Sequence, residues 1–122
     1  MDERRAEQIG EIIREELMEI IGFEMADPRL APVDVTAVVM SPDMRQARVL
    51  VALHGIEREQ VEGMNALEHA RQYLRHELAR RLNLRKMPEL HFEIDPWQET
   101  ASRVEVLLRR AKKTRGKAEN QP

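Results

Sequence analysis

Val33-Asp34-Val35-Thr36-Ala37-Val38-Val39-Met40, then Ser41-Pro42-Asp43-Met44, then Ala47-Arg48-Val49-Leu50-Val51-Ala52-Leu53-His54 is the stretch on which the fold turns. Successive side chains of an extended strand point to opposite faces, so a half-buried strand reads as alternation. Val33, Val35, Ala37 and Val39 alternate with Asp34, Thr36, Val38 and Met40, and Ala47, Val49, Val51 and Leu53 alternate with Arg48, Leu50, Ala52 and His54. The connection is short and carries Pro42 and Asp43, which suits an antiparallel hairpin. One face of that hairpin is apolar. The other, with Asp34, Thr36, Val38, Arg48, Leu50 and Ala52, is expected to stay open.

Upstream, Ile9, Ile13, Leu17 and Ile20 recur at three- and four-residue steps, with Ile12 and Ile21 widening the stripe. This predicts an amphipathic helix ending near Gly22 in the left-handed conformation that suits a helix terminus. Asp27-Pro28-Arg29 then marks a turn. Downstream, the helical period returns from about Glu57, with Leu67, Ala70, Leu74, Leu78 and Leu82 on one stripe until Asn83 and Pro88 interrupt it. Leu90, Phe92 and Ile94 alternate with His91, Glu93 and Asp95 as a third strand, and Val104, Leu107, Leu108 and Ala111 predict a terminal helix. The expectation is a single α+β domain over residues 1–113, with a three-stranded sheet packed on helices, and a flexible basic and polar tail over 114–122.

The chain has 122 residues, one domain's worth, with 42% apolar, 34% charged and only 3% aromatic residues, so its core must be aliphatic. It has no cysteine, which removes disulfides, zinc knuckles, iron–sulfur clusters and thiol nucleophiles together and fits a reducing, cytoplasmic setting. The beginning Met1-Asp2-Glu3-Arg4-Arg5 lacks the apolar run of a secretory signal, and no membrane association is expected. No glycine-rich phosphate loop or nucleophile elbow occurs. His69 and His76 lie two helical turns apart, about 10 Å, whereas a His pair suited to one metal on a helix sits one turn apart, so these two could share an ion only with ligands brought from elsewhere. The reading is a non-enzymatic protein without metal or cofactor.

The formal charge of −2 conceals a separation along the chain. Residues 1–28 carry nine acidic and three basic side chains, residues 71–86 carry six basic and one acidic, and residues 103–117 carry seven basic and one acidic. Projected at about 100° per residue, Arg75 and Arg80 point away from the apolar stripe while Arg71 and Arg81 lie at its edge. Arg85 and Lys86 follow at the helix end. Arg109, Arg110, Lys112 and Lys113 form a second cationic set, extended by Arg115 and Lys117. A solvated charged face explains most such runs, but two of them with little interspersed acid point to a polyanion-binding surface. With roughly six phosphates of unpaired RNA engaged, affinity should fall about a few hundred-fold between about 50 and 200 mM salt. Without aromatics on the open sheet face, base stacking of the RRM kind is disfavoured. The alternative is a protein-interaction module whose acidic first helix, through Glu11, Glu15 and Glu19, docks a basic partner.

Asp27-Pro28-Arg29-Leu30, Val35-Thr36-Ala37-Val38, Ser41-Pro42-Asp43, Ala47-Arg48-Val49, the run Leu84-Arg85-Lys86-Met87-Pro88-Glu89-Leu90-His91-Phe92 and Asp95 together resemble the ribosome-binding factor A family. The resemblance covers roughly residues 3 to 110. It implies a type II KH-like domain of order αββααβ plus a C-terminal helix. It also implies a monomeric factor on the maturing small ribosomal subunit and its 16S rRNA, supporting 5′-end processing and growth in the cold, with a ribosome-associated GTPase implicated in release. The family replaces the usual KH loop by an interhelical kink at Ala-x-Gly. Here that position resembles Ala70-Arg71-Gln72, with Gln72 where the family has glycine. The family resemblance carries over the basic surface at Arg75, Arg80, Arg81, Arg85 and Lys86 and the basic C-terminal segment. Asp27, Pro28 and Arg29 match a family motif whose simplest role is to satisfy backbone groups at the turn into the sheet.

Overall fold

The computed structural model describes residues 3–97. Helix α1 (Glu3–Glu19) runs into a π-helical turn (Ile20–Glu24) and a 3-10 turn (Pro28–Leu30). Strands β1 (Val33–Met40) and β2 (Gln46–Leu53), helix α2 (Glu57–Arg81) and strand β3 (Glu89–Ile94) follow. β1 and β2 pair antiparallel as the hairpin reading required, and β3 adds to β2 in parallel, giving a mixed sheet of order β1-β2-β3. A parallel neighbour needs a long crossover, which α2 supplies.

Ile13, Leu17 and Ile20 from the first helix and its π turn, Val49 and Val51 from β2, Leu74 and Leu78 from α2 and Leu90 from β3 meet in one core, each of them fully buried. Phe92 is its only aromatic member, and among the described residues no polar side chain is buried. Within the described residues no helix is long and apolar enough to cross a membrane.

Three expectations are corrected. α2 is one uninterrupted helix of 25 residues through Ala70-Arg71-Gln72, so the described order is αββαβ rather than αββααβ. Glutamine is a good helix former, and the buried positions Leu67, Leu74 and Leu78 continue in phase on both sides of it. The predicted C-terminal helix and the tail over 114–122 lie outside the described residues.

The second correction is at Gly22, which is not left-handed, because α1 ends in a π turn instead. The Met25 N–H reaches the Ile20 carbonyl five residues back at 2.9 Å, and the wider turn lets Ile20 and Ile21 both point inward.

The third is the phase of β1. Val35 pairs Val51 but Ala37 pairs Leu50, so Thr36 is the extra residue of a β-bulge. Beyond it the faces exchange. Val38 and Met40, expected on the open face, pack on the core, while Val39 is exposed. The Thr36 hydroxyl donates to the Asp95 carboxylate at 2.8 Å, tying the bulge to the end of β3.

Because the phase changes there, the Val38 carbonyl lies directly under α1. A β-carbon at Gly10 would stand 2.5 Å from that oxygen, so only glycine permits this approach. It brings the first turns of α1, with Arg5, across the far end of the hairpin.

Candidate nucleic-acid interface

At that end three separate parts of the chain meet. The first is the hairpin turn. The Met44 N–H bonds to the Ser41 carbonyl at 2.9 Å, the Ser41 hydroxyl donates to Asp43 at 2.6 Å, and the Asp43 carboxylate accepts the Arg45 N–H at 3.0 Å. The two bonds to its carboxylate hold Asp43 below the ordinary carboxylate range, the Ser41 hydroxyl contributing most. Met44 closes the turn with φ of 63°, a left-handed conformation unusual for a side chain that is not Gly, Asn or Asp. Arg45 follows, exposed.

The second part is the α2–β3 loop. Parallel pairing sets Gln46 beside Glu89, and the Glu89 N–H donates to the Arg45 carbonyl at 2.8 Å, so the hairpin turn and the loop are neighbours by register. Arg75 reaches from α2 to pin the loop. It donates to the Met87 carbonyl at 2.9 Å and the Pro88 carbonyl at 3.2 Å and lies 3.5 Å from Glu89. The third part is α1, through Arg5 and Ile9. Together they enclose an open groove of about 890 Å³.

Five cations (Arg5, Arg45, Arg75, Arg85 and Lys86) and two carboxylates (Asp43 and Glu89) line this groove. Both carboxylates are engaged locally, Asp43 within its turn and Glu89 with Arg75. Among the described residues the side chains of Arg5, Arg45, Arg85 and Lys86 have no hydrogen-bond or ion-pair partner. Asp43 lies close enough to interact with the Arg45 charge, but Arg5, Arg85 and Lys86 have no such neighbour among the described residues, and the excess of cations around one concavity makes a local field that attracts polyanions although the chain as a whole is acidic.

The other predicted cations are placed elsewhere. Arg81 lies among three carboxylates, 3.2 Å from Glu16, in contact with Glu24, and 3.8 Å from Glu77. Its guanidinium is raised above its ordinary range, first by the hydrogen bond to Glu24 and, after an opposing desolvation, by that to Glu16. Thus it ties the end of α2 to α1 and the π turn. Arg80 bonds Glu77 at 3.0 Å, and Arg71 lies 3.6 Å from Glu68. The structure therefore brings Arg75, Arg85 and Lys86 together and leaves Arg71, Arg80 and Arg81 away from them. Arg109, Arg110, Lys112, Lys113, Arg115 and Lys117 lie outside the described residues. Arg5 and Arg45 are the groove residues that sequence reasoning missed. Each is isolated from the basic runs, and only the position of Arg45 just after the Ser-Pro-Asp turn hinted that it projects from a tip.

Asp27 caps the 3-10 turn. Its carboxylate accepts the Arg29 N–H at 3.0 Å and holds the Arg29 guanidinium at 2.7 Å, bonds that also keep it below the usual carboxylate range. On the outer sheet face, Asp34 pairs with His54 at 2.6 Å, Arg48 with Glu93 and Gln46 with His91. That face is self-satisfied. Among the described residues no three His, Asp or Glu could hold a metal ion.

The sequence profile of ribosome-binding factor A matches residues 5–108. The ribosome-binding factor A of Solibacter usitatus is 54% identical over 120 residues, 98% of each chain. That of Thermomicrobium roseum is 40% identical over 98% of this chain and 93% of its own. Among solved structures, the crystal structure of ribosome-binding factor A from Thermus thermophilus superposes with a TM-score of 0.65 at 30% identity, covering 73% of this chain and 93% of that one. A homology model of the Thermus thermophilus factor, fitted into a cryo-EM map of a 30S–RbfA complex, gives 0.57 at 30% identity over 76% of this chain and 93% of that one. With a profile match across most of its length and relatives this similar over nearly all of theirs, the chain belongs to the ribosome-binding factor A family.

Proposed function

We propose that this chain is a ribosome assembly factor that binds the maturing small subunit through its 16S rRNA, supporting 5′-end processing of the precursor and growth in the cold. The observation that carries the reading is the groove between α1, the hairpin turn and the α2–β3 loop, where Arg5, Arg45, Arg85 and Lys86 are exposed and make no hydrogen bond or ion pair through their side chains among the described residues. Membership of a family named for ribosome binding supports it, as does a relative fitted into a 30S complex. The fold is read as a KH type II-like domain in which α2 spans both helices of that plan. The protein acts as a cytoplasmic, non-catalytic monomer, released by a ribosome-associated GTPase. Its binding is chiefly electrostatic: the arginines and lysine displace counterions condensed on the RNA phosphates, so affinity weakens steeply with salt. Low temperature stabilises misfolded RNA helices, which gives a factor holding one RNA conformation its greatest effect there. The cations at Arg109, Arg110, Lys112, Lys113, Arg115 and Lys117 would add to the same attraction.

Sedimentation of lysate through a sucrose gradient at low and high salt tests this. Co-migration with free small subunits that disappears at high salt is the expected result, and a protein that stays at the top at both salts contradicts it. A second reading has its own observation: Glu15 and Glu19 on α1 are exposed and make no hydrogen bond or ion pair among the described residues, although Glu15 lies close enough to Arg14 to interact with its charge. They are available to a basic partner protein, and charge reversal there would weaken its capture while leaving RNA binding intact.

A further inference from the structure

The rim of the groove is cationic, but its floor is not. Ile9, Met40, Met44, Leu84 and Met87 line it, each half-buried, so each shows part of an apolar side chain to the opening. Phosphate binding alone has no use for such a floor; a flat or convex cationic patch serves a duplex, whose phosphates lie on the outside of a rod and whose base edges are hard to reach. A concavity with apolar side chains below and cations around the mouth matches the chemistry of a nucleotide turned out of a strand, apolar on the faces of its base and anionic on either side. The volume of about 890 Å³ lies within the range of small-ligand sites, roughly 300–1,000 Å³. Methionine thioethers pack favourably and adaptably on aromatic rings, so the floor accepts any base without selecting one. The left-handed backbone at Met44 is a local strain at the groove's edge, and it aims that side chain into the floor while Arg45 stands on the rim.

We propose that this groove seats a splayed nucleotide of unpaired RNA, its base on Met44, Met87 and Ile9 and its flanking phosphates on Arg5, Arg45, Arg85 and Lys86. None of Ala70, Arg71 and Gln72 lines it. The proposal rests on the RNA-binding reading above and adds where, and in which conformation, the RNA is held.

The test uses the full chain and a short fluorescent oligoribonucleotide, single-stranded or annealed to its complement, with anisotropy read across a salt series. Single strand should bind about tenfold or more tightly than duplex. Arg45→Gln and Arg85→Gln should each flatten the slope of log affinity against log salt by about 0.7, the share of one phosphate on a single strand. Met44→Ser should weaken binding severalfold with the slope unchanged, which a purely electrostatic patch would not show. Equal affinity for duplex and single strand, or an unchanged slope in both arginine variants, overturns the groove even where the wild-type chain sediments with small subunits. A chain that shows the expected oligonucleotide behaviour but never sediments with small subunits upholds the groove and removes the assembly role instead.

Discussion

Arg81 and Arg85 are four residues apart, carry the same charge and belong to the same basic run, yet the fold uses them in opposite ways. Arg81 is drawn against Glu16, Glu24 and Glu77 and fastens α2 to α1. Arg85, one turn beyond the helix end, has no partner among the described residues and faces the groove. A guanidinium already satisfied by three carboxylates has little left to offer a phosphate, since each new bond must displace an existing one. A count of cations therefore overstates a binding surface, and what matters is which charges the acidic segments of the same chain have already claimed.

The largest expected effect sharpens that contrast from the groove side. Charge reversal at Arg45 and Arg85 together should weaken binding to a 16S rRNA transcript by about a hundredfold in filter binding, about tenfold for each charge-assisted bond to phosphate that is removed. The circular dichroism spectrum should be unchanged. Next comes the seat of α1, which carries Arg5 to the groove. Gly10→Val sets a side chain against the Val38 carbonyl and should destabilise by about 2 kcal/mol in denaturant melts, because the clash is with backbone that must shift. Arg75 is an intermediate case, half structural and half in the groove. Arg75→Met should cost about 1 kcal/mol and speed hydrogen exchange at the Glu89 amide as the loop it pins is released, with a smaller loss of RNA affinity than at Arg85.

The smallest effect concerns pH. The Asp43 carboxyl is depressed in the folded state, so its contribution to stability is present above its unfolded value and is lost as pH falls through the folded one. Asp43→Asn should therefore lower stability slightly at neutral pH, where the ionised carboxylate contributes, and make the acid limb of a stability profile shallower below about pH 4, where the two proteins converge. An acid limb identical to the parent's would show that the turn around Arg45 is held by other means.

Much of this architecture is legible in the sequence, because the hairpin, the long helix and the third strand are written in periodicities of two and 3.6. The misread places share a cause: each depends on an interaction remote in sequence or on the demands of the core. The bulge at Thr36 answers to Asp95 and to the crossing of α1, neither of which leaves a mark in the local alternation. Gly22 invites a left-handed cap, but burying Ile20 and Ile21 together favours a π turn. Gln72 stands where the resemblance expects a kink glycine, and α2 continues as one helix through that position. The binding site was legible only in part. Arg75, Arg85 and Lys86 stand out as a run, whereas Arg5 and Arg45 join them only through the close approach at Gly10 and the parallel register of β2 with β3.

The most direct test compares Arg81→Gln with Arg85→Gln in co-sedimentation with purified small subunits over a salt series. The account predicts that Arg85→Gln lowers binding about tenfold and flattens its salt dependence, while Arg81→Gln binds within about twofold of the parent and instead unfolds at lower denaturant. Equal loss of binding in the two variants would contradict it, because the two arginines would then serve the RNA alike.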